Sequence, residues 1–350
     1  MGGAPVLRCR GRTGTVAPLQ VWLRPRRLRL RSRPAETFAG EGNTVPTTDQ
    51  RLLAELEPKA EELLNRHEKM AREWFPHTYI PYSQARDFDT DPWTPDQSRL
   101  TGVAQIAFEV NLLTEDNLPS YHREIHDMFN SGDGAWINWI HRWTAEEGRH
   151  SIVLRDYLVV TRALDPEQLE RARMQQVMTG YDRDGKSTLE GMAYVAFQEL
   201  ATRISHRNTG RYSQDPVADK IMARIATDEN LHMVFYRDIL AAAMELDPSA
   251  AVKAIAAEVM GFQMPGTGMV DFNRKAVQIA KAGIYDLRVH HDEVVWPLLR
   301  HWRFFEAEGL TDEADKMRAQ TSEFLGGLDA MASRYEAKRA AAAERASGRP

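Results

Sequence analysis

Two short patterns place a carboxylate and an imidazole three residues apart: Glu147-Gly-Arg-His150 and Glu229-Asn-Leu-His232. On a helix, residues so spaced share a face and can offer one oxygen and one nitrogen to the same metal ion. The spacing alone has little weight, because 11 histidines and 27 glutamates in 350 residues give about 0.85 such pairs by chance. The residues around them carry more. In one segment the apolar stripe runs Trp136, Ile140, Trp143, Glu147, His150, Leu154, Tyr157, and in another Met222, Ile225, Glu229, His232, Tyr236, Ile239. Two further stripes hold one acid each: Ala104, Phe108, Leu112, Glu115, and Met192, Ala196, Glu199, Thr202. This is the periodicity of the buried face of a helix, and the glutamates and histidines occupy it. A salt bridge at a helix edge would explain any single one of these acids. It does not explain the set, since few arginines or lysines share the stripes, and burying several unpaired carboxylates costs several kcal/mol each.

Metal cations supply the compensation. Four carboxylates, two neutral imidazoles and two ferrous ions make a formally neutral site. Oxygen and imidazole ligands with open positions suit redox iron or manganese better than tetrahedral zinc. One glutamate from each of two helices, plus Glu-x-x-His from each of two others, is the ligand pattern of ferritin-like di-iron bundles. Glu115, Glu147, His150, Glu199, Glu229 and His232 are therefore the candidate metal ligands, and O2 chemistry at two iron ions is the activity they point to.

The elements that must position these residues are helices. Helical periodicity is legible at about 98–116, 119–129, 134–163, 188–210, 216–245 and 249–261, then at 271–286, 290–308 and 311–345. A first helix begins behind a cap near Asp49. Residues 74–97, rich in proline and aromatics, read as an irregular connector, and Asp165-Pro and Asp247-Pro as helix ends. Alternating β-branched runs bounded by turns are missing. The expected fold is all-α: a ferritin-like bundle with four ligand-bearing helices inside a single domain of nine to eleven helices, spanning 46–335. A charged tail is expected over 336–350.

Composition narrows the function classes. Hydrophobic residues make up 43% and charged residues 27%, the profile of a soluble globular chain. Cys9 is the only cysteine, so disulfides and thiolate ligands are excluded for the patterned region. Residues 1–35 hold nine arginines and no acid, and this Arg-rich stretch reads as a disordered extension through residue 45, or less simply as a plastid transit segment. The formal charge of −5 then leaves −14 on the remainder, which gives no global attraction to nucleic acid. No Walker loop or Gly-x-Gly-x-x-Gly supports nucleotide binding. A cytoplasmic setting is expected.

The sequence resembles the soluble acyl-carrier-protein (ACP) desaturases, the stearoyl-ACP desaturase family of plant plastids and its actinomycete branch. The matching strings are Leu113-Thr-Glu-Asp-Asn-Leu-Pro-Ser-Tyr121, Trp143-Thr-Ala-Glu-Glu-Gly-Arg-His150, Phe197-Gln-Glu-Leu-Ala-Thr-Arg-Ile-Ser-His-Arg-Asn-Thr209 and Asp228-Glu-Asn-Leu-His232. Their order agrees with the family from about Asp49 to Arg303. The resemblance implies that Glu115 and Glu199 are terminal ligands, one per iron, that Glu147 and Glu229 bridge, and that His150 and His232 give one nitrogen per iron. It places Trp143 and Asp228 around the site, and Thr202 one turn after Glu199, where a hydroxyl could serve an iron-bound oxygen; ordinary helix packing explains a threonine there equally well. Glu146 and Asp116 fall outside the ligand positions and read as supporting or surface groups. Gly148, Ser151, Asn230 and Leu231 depart from the family strings without touching a ligand.

The implied reaction is removal of two hydrogens from a saturated acyl chain on ACP, with O2 and two electrons from ferredoxin, by a homodimer with two iron ions per chain. ACP is acidic, so a local basic surface is expected, either at Arg207, Arg211, Lys220 and Arg224 or at Arg274, Lys275 and Lys281. Phe108, Leu112 and Met192 are candidates to line the acyl channel. The competing readings are another ferritin-like di-iron oxidase, an iron-storage bundle, and a catalytically weak homologue that binds ACP.

Overall fold

The computed structural model describes residues 47–129, 134–182 and 185–347, so the expected extension over 1–45 lies outside the described residues. The helices are α1 (Thr48–Met70), α2 (Val103–Glu115), α3 (Leu118–Phe129), α4 (Ala135–Val160), α5 (Pro166–Thr179), α6 (Thr188–Ser213), α7 (Pro216–Leu246), α8 (Pro248–Gly261), α9 (Phe272–Lys281), α10 (Leu287–Val289), α11 (Trp296–His301) and α12 (Asp312–Ser347). Among the described residues there is no strand. The fold is the all-α, ferritin-like bundle expected, and ten of its helices are at least ten residues long. No helix among the described residues is long and apolar enough to cross a membrane.

Side-chain caps start several of the helices, while α2 and α4 begin at glycines, Gly102 and Gly134, without one. Thr47 and Gln50 form a reciprocal capping box at the start of α1, and Ser187 and Glu190 do the same for α6. Asp165 accepts hydrogen bonds from the amides of Glu167 and Gln168 and thereby opens α5, with Pro166 in the first turn. This corrects the sequence reading, in which Asp165-Pro ended a helix and no helix was placed over 166–179. Asp247-Pro likewise starts α8 as it ends α7. A proline at the first helical position lacks only an N–H that would have no helical partner, so Asp-Pro is a start signal as much as a stop.

The expected helix over 290–308 is broken in three: a π-helical stretch, His290–Val295, leads into α11, and a 3₁₀ turn, Phe304–Glu306, follows. The stretch expected as a tail continues α12, with Glu336 bonded to Arg288 and Arg339 to Asp286.

The bundle that matters for function is α2, α4, α6 and α7, and α6 and α7 make the closest pair. A Cβ on Gly210 of α6 would stand 2.8 Å from Met222 Cβ and 3.2 Å from Asp219 Cα of α7, so only glycine allows this approach. The connector over 74–97 contains three 3₁₀ turns. It is pinned by the buried Arg162, which donates to Gln97 Oε1 and to the Asp91 carbonyl while lying over the Phe88 ring.

Candidate metal centre

The bundle interior collects all six residues singled out from the sequence. Glu115 comes from α2, Glu147 and His150 from α4, Glu199 from α6, and Glu229 and His232 from α7. None is more than 7% exposed, which rules out the helix-edge explanation. Their ligand atoms form two groups that could each hold a metal ion: Glu115, Glu147, His150 and Glu229, and Glu147, Glu199, Glu229 and His232, with the atoms of each group within 4.8 Å of one another.

Glu147 and Glu229 belong to both groups. Glu147 turns Oε2 to His150 Nδ1 at 3.4 Å and Oε1 to His232 Nδ1 at 2.8 Å. Glu229 does the same, with Oε1 at 3.6 Å from His150 Nδ1 and Oε2 at 3.6 Å from His232 Nδ1. One oxygen to each side is the geometry of a carboxylate that bridges two cations. Glu115 and Glu199 are split differently. Glu115 Oε1 meets His206 Nε2 at 2.7 Å while Oε2 faces His150. Glu199 Oε1 accepts the Trp143 indole N–H at 3.0 Å while Oε2 faces His232.

The inward atoms test whether metal fits. Glu199 Oε2, Glu229 Oε2 and His150 Nδ1 are buried and make no hydrogen bond, and Glu147 Oε1 and His232 Nδ1, equally buried, meet only each other across the cluster at 2.8 Å. Buried polar atoms without partners are rare and costly, and here they converge on two points, as ligand atoms do. Burial and the neighbouring carboxylates raise Glu229 well above the ordinary range, and burial also raises Glu147. Burial by itself would lower the imidazoles, yet the carboxylates facing them raise His150 and His232 well above the usual histidine value. For Glu115, contacts with His150 and His206 outweigh burial and pull the carboxyl down, while His206 rises to about 9. Crowded anions of this kind are what two divalent cations relieve.

Around the six lies a second layer of partners. Asp228 Oδ2 stands 3.4 Å from His150 Nε2 and accepts the Trp74 indole N–H at 2.7 Å. Glu146 Oε2 stands 3.0 Å from His232 Nε2 and 2.8 Å from His67 Nε2. Each carboxylate leaves Nδ1 of its histidine as the inward atom and orients the ring. Asp228 was singled out from the sequence. Glu146 was left as a supporting or surface group, and the structure makes it the buried counterpart of Asp228. A signal for it exists: Arg142-x-x-x-Glu146-Glu147-x-x-His150 repeats as Arg224-x-x-x-Asp228-Glu229-x-x-His232, and in each the arginine pairs with the first acid one turn on. His67, Trp74 and His206 carry no such signal. Asp116 lies outside the cluster and pairs with Arg173. Thr202 spends its hydroxyl on the carbonyls of Gln198 and Glu199, both at 3.1 Å, and lines a cavity beside Glu115.

Two cavities meet the cluster. One is walled by Tyr121, Ile125, Met128, Trp143 and Tyr194 and reaches Glu115 and Glu147. The other is walled by Val110, Phe272, Ile279 and Tyr285 and reaches Glu115, Thr202 and His206. Thr114 and Glu115 line both. Of the expected channel residues, Phe108, Leu112 and Met192 are fully buried core and line neither cavity.

A four-helix core carrying two Glu-x-x-His pairs and two further glutamates defines the ferritin-like class of carboxylate-and-histidine metal proteins. Residues 48–348 match the model of the fatty acid desaturase family, and the chain belongs to that family. It is 50% identical over 301 residues to the protein named "putative acyl-[acyl-carrier-protein] desaturase DesA1" of Mycobacterium tuberculosis, covering 83% of this chain and 88% of the relative. It is 31% identical over 319 residues to the stearoyl-ACP 9-desaturase 6, chloroplastic, of Arabidopsis thaliana, covering 85% and 80%. The crystal structure of the "putative acyl-ACP desaturase DesA2" of M. tuberculosis superposes with a TM-score of 0.61 at 27% identity, over 77% of this chain and 99% of that one.

Proposed function

We propose that the chain is an O2-dependent acyl-ACP desaturase that introduces a cis double bond into a saturated acyl chain at a carboxylate-bridged di-iron centre. The observation that carries this reading is the sharing of Glu147 and Glu229 between two ligand groups beside two cavities that meet at Glu115. Glu115 and His150 would complete one iron position, and Glu199 and His232 the other. When bound, the iron pair with O2 and two electrons supplies the oxidising power that an unactivated CH2–CH2 unit demands, which acid–base groups do not have.

The protein's residues do the rest. The apolar walls of the two cavities bind the acyl chain and keep water from it, and Thr114 and Glu115 fix where it passes the cluster. Asp228 and Glu146 hold His150 and His232 in one orientation and keep their outer nitrogens protonated. Trp143 and His206 hold the outer oxygens of Glu199 and Glu115, which would leave the inner oxygens to hold the metal. Thr202 contributes a wall atom beside Glu115, since its hydroxyl is bonded to its own helix. Electrons from a ferredoxin would arrive along Trp74, Asp228 and His150, where Arg149 and Arg224 lie over the indole at 5.0 and 5.7 Å.

The names of the relatives support ACP as the carrier. Of the basic residues considered for its docking, Arg224, Lys275, Arg207 and Arg274 are each paired with an acid of this chain, to Asp228, Glu109, Asp219 and Asp271. Lys220 lies over the Tyr79 ring. Exposed Met174 and Met178, one turn apart on α5, offer apolar surface for pairing into a homodimer.

Anaerobic reconstitution with Fe(II) tests the centre, and should give about two iron ions per chain. Assays with acyl-ACP and acyl-CoA of several lengths then test the substrate. Failure to take up iron, or iron uptake without desaturation of any acyl-ACP in the presence of reduced ferredoxin, would overturn the reading.

A further inference from the structure

A second group of histidines lies apart from the carboxylate cluster. His122 and His126 stand one turn apart on α3, and His141 stands on α4 beside them. The ring centroids of His122 and His126 are 5.9 Å apart, and those of His122 and His141 are 6.5 Å apart with the rings nearly parallel at 13°. The three are in reach of solvent: His141 is exposed, and His126 and His122 are partly so.

His-x-x-x-His on one helix is the spacing by which two imidazoles of a helix bind one zinc ion. His141 adds a third nitrogen from a neighbouring helix, as in sites with three protein ligands and one open position. His122 Nδ1 shares a 2.7 Å hydrogen bond with Thr144 Oγ1. For that ring this leaves Nε2 as the available ligand atom, the division of roles that ligating histidines show when a neighbouring group holds their other nitrogen. A metal–nitrogen distance of about 2.0–2.1 Å brings two imidazole centroids to about 5 Å, closer than the 5.9 and 6.5 Å between these rings, so binding an ion requires them to turn toward one another about χ1 and χ2. Burial, together with His126 and His141, holds His122 below its ordinary pKa, so that its ring is neutral and able to ligate near pH 7.

We propose that His122, His126 and His141 form a surface site for one divalent transition-metal ion, zinc foremost, that ties α3 to α4. The same helices wall one of the two cavities, α3 with Tyr121, Ile125 and Met128, and α4 with Trp143 and Glu147. An ion bound across them would fix the spacing of that wall, giving the cavity a metal-dependent rigidity separate from the chemistry of the buried cluster.

The test is a zinc titration of the iron-reconstituted protein, followed by calorimetry and by zinc and iron analysis after gel filtration. Wild type is expected to bind one zinc ion per chain beyond its iron. His126→Ala and His141→Ala should each weaken that binding by about 100-fold or more, and Thr144→Val, which keeps all three ligands, by about 10-fold. Cobalt in place of zinc should give visible absorption bands that the alanine variants lose. Equal zinc stoichiometry and affinity in wild type and both alanine variants would overturn the proposal, and unchanged helical circular dichroism and iron content show that the variants are folded. Because zinc and iron are counted separately, the loss of one reading leaves the other standing.

Discussion

The two histidines of the cluster sit in the same local sequence register but in different surroundings. On the His232 side, Glu146 is shared with His67 of α1, and Trp139 packs its edge on both rings while its face stacks on Phe235 at 3.7 Å. On the His150 side, Asp228 is shared with Trp74 of the connector, and Arg149 and Arg224 close over that indole. Each carboxylate also holds the arginine one turn before it, Arg142 on Glu146 and Arg224 on Asp228, so the two differ in the ring on their far side: an imidazole set in aromatic core for Glu146, and an indole under two arginines for Asp228. On the proposed function the first contact is a buttress and the second a connection.

The largest effect separates what is shared from what is not. Glu147→Ala or Glu229→Ala removes an atom from both ligand groups and is expected to abolish retention of both iron ions, reducing desaturation by at least about 1,000-fold. Glu115→Ala and Glu199→Ala should each spare the other position and retain about one iron ion. Iron counted by mass spectrometry decides it: retention of two ions by Glu147→Ala would show that the carboxylate does not bridge.

The next experiment sets the two outer shells against each other. Glu146→Gln and Asp228→Asn should each cost about 10–100-fold in iron affinity, because each loosens one histidine. They should differ in everything else. Glu146→Gln leaves the buried His67 facing an amide in an aromatic pocket, and is expected to lose about 1–3 kcal/mol in denaturant unfolding of the metal-free protein. Trp74→Phe, on the opposite side, should hold its iron and unfold near the wild-type midpoint, but slow reduction by ferredoxin in stopped flow. If Trp74→Phe is reduced at the wild-type rate, the connecting role falls.

His290 has an electrostatic environment of the opposite sign to that of His150. It is as buried as His150 but meets Tyr285, Phe262 and His291, and burial with the neighbouring His291 lowers it to about 3. A histidine lowered in this way is neutral when folded, while the unfolded chain takes up a proton below about pH 6.5. Stability from this group is therefore complete above that pH and is lost as pH falls toward 3, by about 2 kcal/mol at pH 5. His290→Gln should flatten the pH dependence of unfolding between pH 7 and 5 by that amount. An unchanged slope would show that the ring is not kept neutral.

This contrast also marks what the sequence could reveal. The six cluster residues were legible because each interrupts an apolar stripe of its own helix, a one-dimensional pattern. Glu146 was legible only by comparing two helices with each other, through the repeated Arg-x-x-x-acid-Glu-x-x-His register. His67, Trp74 and His206 were not, because nothing in a helix or a connector records which neighbour it will meet. The helix from Pro166 was missed because an aspartate before proline caps a start as readily as it marks an end. The break at His290–Val295 was missed because a π turn keeps the composition of the helix it interrupts.

The smallest effect tests the inner faces of the same two helices. Where α7 has Asn230 after Glu229, α4 has Gly148 after Glu147, and the glycine costs that helix about 0.5–1 kcal/mol relative to alanine. A Cβ there would meet nothing closer than Leu118 Cδ2 at 4.0 Å, so the glycine is not needed for space. Gly148→Ala should therefore stabilise the protein by about that amount and leave the iron count at two. Thermal unfolding and metal analysis together decide between two roles. A stabilised variant with intact iron means that the geometry of Glu147 and His150 on α4 is set by Asp228 and the shared carboxylates, independently of the helix's own propensity. A variant that loses iron means that the glycine gives Glu147 the backbone freedom to reach both histidines.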